Sequence, residues 1–109
     1  MTYRFEYRQS FWQDYFSTLE YIAVTLKNPI AARALDEAFE REKRVLLSFP
    51  RAARAYASPP AVDTEYYAIR VKNYLAFYVV NGETIEFRRF LYSRSELSDR
   101  LPFSNTDTR

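Results

Sequence analysis

The chain has 109 residues, of which 48% are apolar and 18% aromatic, and its formal net charge is +2. A single domain of this size and composition can bury a core, so a disordered chain is excluded. The sequence has no cysteine, no histidine and one glycine, which excludes disulfides, thiolate nucleophiles, cysteine-ligated zinc and glycine-rich phosphate loops. No apolar run approaches the length of a membrane span and the first residues do not resemble a signal peptide, so we expect a cytoplasmic protein without a membrane partner.

The first half of the chain combines an alternating segment with a long periodic one. Tyr3, Phe5 and Tyr7 alternate with polar residues, which predicts a β-strand. Apolar residues then recur at helical spacing and predict a helix over residues 11–27. Ser10, followed by Gln13, has the spacing of a capping box at its start.

A second helix is predicted directly after the first. Asn28 can cap it and Pro29 suits its first position, and Pro50 ends it. Its apolar stripe consists of Ala31, Leu35, Ala38, Phe39, Val45 and Leu46. Because the linker is short, the two helices are expected to form an antiparallel hairpin.

The second half of the chain is predicted to be a loop followed by strands. Residues 50–65 contain a Pro-Pro pair and are predicted to be a loop. Alternation and apolar runs predict strands over Tyr66–Lys72, Tyr74–Val80 and Thr84–Tyr92, with Asn81–Gly82 as a type I′ hairpin turn.

These elements predict an α+β fold: an N-terminal strand, an antiparallel helical hairpin and a three-strand antiparallel meander, with the helices on one face of the sheet. The other face is expected to remain open to water or a partner. Arg70 and Lys72 are predicted to lie on that face. Residues 49–109 carry nine basic and seven acidic side chains, whereas residues 1–48 carry seven of each, so the strand-rich half favours an anionic partner.

Four segments carry a resemblance to a known family: "LKNPIAARAL", "LLSFP", "IRVKNYLAFYVV" and "RRFLYSRSEL". Their order and spacing resemble the RelE/ParE superfamily of bacterial toxins from type II toxin–antitoxin modules, often called plasmid stabilisation proteins. The likeness implies a toxin domain over residues 1–101, and residues 102–109 are expected to be a flexible C-terminal tail.

The resemblance implies a toxin that is neutralised by a cognate antitoxin, with which it can form a hetero-oligomer, and that uses no cofactor and no metal. Two activities occur in the superfamily. RelE-like members are endoribonucleases that cut mRNA on the ribosome without metal and thereby inhibit translation. ParE-like members poison DNA gyrase without being enzymes. The endoribonuclease is our first hypothesis, and a gyrase poison or a degenerate member that only binds its antitoxin is the alternative.

The resemblance also implies site residues. For the endoribonuclease, Arg94 would bind the transferring phosphate, with Arg70 and Tyr92 as further catalytic residues. Lys72 and Arg88 would bind RNA, although Arg88 could instead pair with Glu86 on its own strand.

Other residues are expected to serve the fold or to depart from the family pattern. Leu75, Tyr67 and Ser95 stand at positions where relatives often have arginine, which favours the alternative functions. Arg89 is predicted to serve the fold, either by extending its charged end to solvent or by pairing with an acidic residue of a helix. The remaining strand tyrosines, Tyr66, Tyr74 and Tyr78, are assigned to packing.

Overall fold

The computed structural model describes residues 2–51, 54–56 and 65–93, with the side chains of 54–56 excepted. The helices are α1 (Gln9–Glu20), a π-helical segment (Tyr21–Thr25) and α2 (Pro29–Val45). The strands are β1 (Arg4–Tyr7), β2 (Arg54–Tyr56), β3 (Tyr66–Val71), β4 (Tyr74–Asn81) and β5 (Thr84–Tyr92).

The strands form one sheet in the order β1-β5-β4-β3-β2. β3, β4 and β5 are the predicted antiparallel meander, and β1 pairs in parallel with β5. The helical hairpin packs on one face, so the predicted α+β architecture is confirmed. We call the face without the hairpin the second face.

Strand β2 corrects the prediction that residues 50–65 form only a loop. Its three residues pair antiparallel with the outer edge of β3, where Arg54 is opposite Ala68. The pairing satisfies backbone groups that β3 would otherwise leave open. The Pro-Pro pair that indicated a loop lies after β2, outside the described residues, as does the predicted tail 102–109.

The predicted capping box at Ser10 is wrong, because Ser10 lies inside α1. Arg8 is the N-cap residue and makes no side-chain cap. The Ser10 hydroxyl instead donates to the backbone carbonyl of Arg88 at 2.7 Å. β5 continues beyond the last residue of β1, so its free edge takes hydrogen bonds from the following helix.

The helices are joined by a wider turn than predicted. The amide of Leu26 donates to the carbonyl of Tyr21, five residues back, as in a π-helix. Lys27 follows with a left-handed backbone, φ 54°. Asn28 then caps α2 by accepting from the amide of Ala31 at 3.1 Å, with Pro29 in the first turn, as predicted.

The core between helices and sheet is largely aromatic. The predicted helical positions Phe11, Tyr15, Leu35 and Phe39 are buried, but Leu26 and Val45 are more than half exposed. The largest side chains that are under 2% exposed are Tyr78, Phe11, Phe39, Phe77, Phe87 and Phe90.

Lys43 of α2 is a buried cation in this aromatic core. Its ammonium donates to the hydroxyl of Tyr7 at 2.7 Å and to Glu40 at 2.9 Å. It also lies 4.9–5.3 Å from the ring centroids of Phe5, Tyr7 and Phe39, which is cation–π distance. Burial by itself lowers the pKa of Lys43, but the contacts with Tyr7 and Glu40 outweigh it and raise the pKa overall. Lys43 therefore links α2 to the edge strand β1.

The turn between β4 and β5 differs from the predicted type I′ turn. Asn81 pairs with Thr84, so the two turn residues are Gly82 and Glu83. Among the described residues of this hairpin only Gly82 has a positive φ, 62°. Positive φ at the first turn position alone is the pattern of type II′, for which glycine is the preferred residue.

Candidate functional site: one corner of the sheet

The turn between β3 and β4 brings the end of β5 beside it. Val71 pairs with Tyr74, which leaves Lys72 and Asn73 as the turn, and Lys72 has φ 55°. Both the amide and the hydroxyl of Ser93 donate to the carbonyl of Asn73, each at 2.8 Å. The residue that follows β5 is therefore fixed to this turn.

Arg70 reaches the same place. One nitrogen of its guanidinium donates to the carbonyl of Lys72 at 3.3 Å and to the hydroxyl of Ser93 at 3.4 Å. The side chain is exposed and both hydrogen bonds are long, so they hold it weakly. We call Arg70, Lys72, Tyr92 and Ser93 the basic corner.

Three of the predicted site residues, Arg70, Lys72 and Tyr92, thus meet at one end of the sheet, although they do not all lie on one face of it. Arg70 is opposite Leu75 on the second face, whereas Tyr92 is opposite Tyr74 on the helix side. Lys72 is outside strand alternation because β3 ends at Val71. The fourth, Arg94, follows Ser93 directly in the chain but lies outside the described residues, as does Ser95.

The second face is not open where it was expected to be. Four apolar side chains there, between 0% and 7% exposed, form a separate cluster: Ala68, Leu75, Phe77 and Leu91. Leu75, which stands where relatives often have arginine, is thus part of an apolar cluster. Tyr67, at another such position, is buried on the helix side, where its hydroxyl donates to Glu65 at 3.0 Å.

Arg88 lies apart from the basic corner. β5 has a bulge here, since Phe77 pairs with Arg89 and Tyr78 with Phe87. The guanidinium of Arg88 donates to Glu86 at 2.7 Å and to the hydroxyl of Tyr66 at 2.9 Å. Tyr66 begins β3 and Arg70 is four residues further along it, a distance of about 13 Å. The structure therefore does not bring Arg88 together with Lys72.

Glu86 joins two arginines on the second face. It accepts from Arg8, the residue that follows β1, at 2.8 Å and from Arg88 at 2.7 Å. Burial alone would raise the pKa of Glu86, but the hydrogen bonds and charges of the two arginines outweigh it and hold the pKa below its ordinary value. The positive charge of Arg88 is thus already matched by a carboxylate.

A groove borders the basic corner on the helix side, with a volume of about 900 Å³. Its floor includes Ile22, Leu35 and Phe90, and Tyr21, Asn73, Tyr74 and Tyr92 are among its walls. Sequence reasoning assigned Tyr74 to packing and did not select Tyr21 or Asn73. The π-helical segment that places Tyr21 here has no sequence signal that we recognise.

Within the described residues, no group of three or more His, Cys, Asp or Glu side chains is arranged to hold a metal ion. In the same part of the chain, no helix has both the length and the apolarity needed to cross a membrane.

Comparisons with protein families and with solved structures both find similar proteins. The family model for the ParE toxin of the type II toxin–antitoxin system parDE matches residues 5–97. Among solved structures, the chain is similar to one described as the chromosomal ParDE toxin–antitoxin system from P. aeruginosa, with a TM-score of 0.65 and 14% sequence identity. The alignment covers 83% of this chain and 95% of that one, and at this identity it supports the fold alone. No curated protein sequence matches the chain.

Proposed function

The chain belongs to the ParE family of toxins from type II toxin–antitoxin systems, and we propose that it acts as a non-enzymatic poison of DNA gyrase. Its partners in this proposal are a cognate antitoxin, with which it forms a hetero-oligomer, and gyrase. The proposed place of action is the cytoplasm.

The observation that carries the proposal is the environment of Leu75. In RelE-like nucleases an arginine at this position is expected to contact the transferring phosphate. Here the residue is a leucine, 7% exposed, in the apolar cluster with Ala68, Phe77 and Leu91. An arginine cannot be replaced in its phosphate role by an aliphatic side chain, and the loss of one such charge donor lowers a rate by about 100- to 1000-fold.

The state of Arg88 also supports a function without RNA cleavage. Its side chain is only 24% exposed, and its guanidinium is engaged by Glu86 and Tyr66. A phosphate that approached Arg88 would have to displace the carboxylate of Glu86. This arrangement favours a structural role for Arg88 over RNA binding.

One observation favours the endoribonuclease as a second candidate, namely that Arg70, Lys72 and Tyr92 meet at the basic corner. In such a reaction the ribose 2′-hydroxyl loses its proton to solvent water and attacks the adjacent phosphorus, whose bond to the 5′-oxygen breaks. Arg70 and Lys72 would stabilise the charge that develops on the phosphate, and the Tyr92 hydroxyl would give a proton to the leaving oxygen. Arg94 would complete this set.

Purified gyrase and supercoiled plasmid provide the decisive experiment. We expect the protein to cause gyrase-dependent linearisation of the plasmid, and the effect to disappear when gyrase is omitted. In parallel, mRNA in a translating extract is expected to remain whole. Intact plasmid together with new mRNA ends at ribosomes would overturn the proposal in favour of the second candidate.

The proposed pairing with an antitoxin can be tested separately from the target. Induction of the chain alone is expected to arrest growth, and co-expression of its antitoxin to restore it. The two proteins are then expected to elute together in gel filtration.

A further inference from the structure

The groove beside the basic corner has two strained rims. Among the described residues, Lys27 and Lys72 are the only non-glycine positions with a left-handed backbone, at φ 54° and 55°. Lys72 lines the groove, and Lys27 lies between two lining residues, Leu26 and Asn28. Non-glycine residues are strained in this region, and such positions cluster at active sites and ligand clamps.

The walls of the groove carry aromatic rings with unused hydroxyls. Tyr92 is 40% exposed and Tyr21 52% exposed. The ring of Tyr74 stacks on Phe90 at 5.1 Å and meets Tyr92 edge-on at 5.3 Å. Within the described part of the chain, no hydrogen bond engages the hydroxyls of Tyr21, Tyr74 or Tyr92.

All three tyrosines line the same groove. Burial raises the pKa of Tyr74, and the nearby hydroxyls of Tyr92 and Tyr21 raise it further. Together with the amide side chain of Asn73, they provide donors and acceptors around an apolar floor. A pocket of this size, with aromatic walls and a few polar groups, is typical of small-molecule sites.

The charge of the groove favours an anion. Among its described lining residues Lys72 is the one cation and Asp14 the one carboxylate. Asp14 is already paired with Arg89, at 2.6 Å, and accepts from the amide of Phe90. The ammonium of Lys72, with the guanidinium of Arg70 at the same turn, therefore makes the electrostatic potential of the groove positive.

We propose that this groove is a binding site for a nucleoside monophosphate. The base stacks on the exposed ring of Tyr92, and its polar edge meets the amide of Asn73. The phosphate lies at the rim, on Lys72. Tyrosine rings suit any base because every base has a π-face, and lysine suits the phosphate as a point charge. The site requires neither gyrase nor a ribosome, so it stands apart from the function proposed above.

The test is a titration of the isotopically labelled full chain, followed by NMR, with adenosine and uridine 5′-monophosphates. We expect saturable binding with a dissociation constant of about 10 µM to 1 mM. Shifts are expected to concentrate on the side-chain amides of Asn73 and Gln13. Adenosine alone and inorganic phosphate are each expected to bind at least about tenfold more weakly, since each makes half of the contacts.

Variants give a second, independent measurement. Lys72→Met and Tyr92→Leu are each expected to weaken nucleotide binding by about tenfold, the range found for single base-stacking or charged contacts. Arg41→Met and Phe49→Leu change an exposed cation and an exposed ring elsewhere, and are expected to leave binding unchanged.

Three results would overturn the proposal. One is no nucleotide binding to the wild-type chain at about 10 mM, well above the expected range. Another is binding that survives both Lys72→Met and Tyr92→Leu. The third is inorganic phosphate binding as tightly as the nucleotide, which would mean that the groove does not recognise the base. The first and third results are measured on the wild-type chain, so they do not depend on whether a variant folds.

Discussion

Asp14 of α1 and Arg89 of β5 form a two-point ion pair across the edge of the sheet, with nitrogen–oxygen distances of 2.6 and 3.3 Å. The same carboxylate accepts a third hydrogen bond, from the amide of Phe90 at 3.0 Å. Ser10, one helical turn earlier, holds the carbonyl of Arg88. α1 thus continues, through two side chains, the edge pairing that β1 begins, and it fixes the part of β5 that leads to the basic corner.

We expect Asp14→Ala to lower the free energy of unfolding by about 1–3 kcal/mol, because the Phe90 amide and the Arg89 guanidinium lose a shared, partly buried acceptor. Urea unfolding followed by circular dichroism measures the change. Asp14→Asn keeps an acceptor for the Phe90 amide and should lose less. Glu37→Ala, on an exposed position of α2, is the control and should be neutral. Equal stability of Asp14→Ala and wild type would show that the edge contact contributes nothing.

Glu86 should give the fold an acid-sensitive contribution. Its pKa in the folded state lies below its ordinary value of 4.5, so the folded state binds fewer protons there than the unfolded state. The contribution is complete above pH 4.5 and is lost as the pH falls through the folded-state pKa.

Glu86→Gln is accordingly expected to lower the free energy of unfolding at neutral pH by about 1–2 kcal/mol, and to flatten its decline between about pH 5 and pH 3. Glu6→Gln on the neighbouring strand is the matched control, because Glu6 meets Arg4 at 3.8 Å and both are largely exposed. An unchanged pH profile in Glu86→Gln would contradict the assignment.

Lys43 should give the fold a contribution to stability that is sensitive to alkaline pH rather than to acid. Its pKa is raised in the folded state, so its contribution is full below its ordinary pKa of 10.5 and is lost as the pH rises through the folded-state value. Lys43→Met, which keeps the apolar stem, should cost about 1 kcal/mol at neutral pH, and Lys43→Ala about 2–3 kcal/mol.

The difference between wild type and Lys43→Met is then expected to narrow above pH 10.5. Arg44→Ala, next in sequence but exposed, should leave stability unchanged. A difference that is constant with pH would show that packing, not charge, accounts for the role of Lys43.

Substitutions of Arg70 and Arg88 should differ in their effects on the free energy of unfolding, which allows an effect on function to be distinguished from one on stability. Arg70 is exposed and makes only long hydrogen bonds, so Arg70→Ala should change the free energy of unfolding by no more than about 0.5 kcal/mol. Arg88→Ala removes contacts to Glu86 and Tyr66 and should cost about 1–3 kcal/mol. If the basic corner contacts the toxin's target, Arg70→Ala reduces growth arrest at unchanged stability, and Arg94→Ala is expected to reduce growth arrest as well. Full toxicity of both variants would remove the corner from the functional surface.

Strand and helix periodicity predicted most of the fold because each element has one face in the core. β5 has the predicted limits, and the pairing of Arg89 with a helical carboxylate was one of the two roles expected from two adjacent arginines on one strand. The expected alternation, however, placed Leu91 on the helix side. The bulge at Arg88 shifts the alternation by one residue, so that Phe90 joins the helix-side core and Leu91 the second face.

Features that depend on tertiary contacts could not be read from local patterns. Lys43 lies in the run "EREKR", which has the composition of a solvated helix face, and its burial depends on the rings that β1 places beside it. The groove has the same origin, because Tyr21 and Tyr74 come together only after the π-helical segment and the β3–β4 turn have formed. Arg70, Lys72 and Tyr92 could be selected by type and position, but their places on different sides of the sheet required the register.

The parallel pairing of β1 with β5 also determines when the first strand can join the sheet. The salt bridge from Arg8 to Glu86 joins residues 78 positions apart, and the first strand has no partner in the sheet until the last one has been synthesised. At about 5–20 residues per second, β1 waits several seconds during translation before it can dock. Such long-range pairing slows folding, so a nascent or truncated chain that stops before β5 leaves its first strand unpaired.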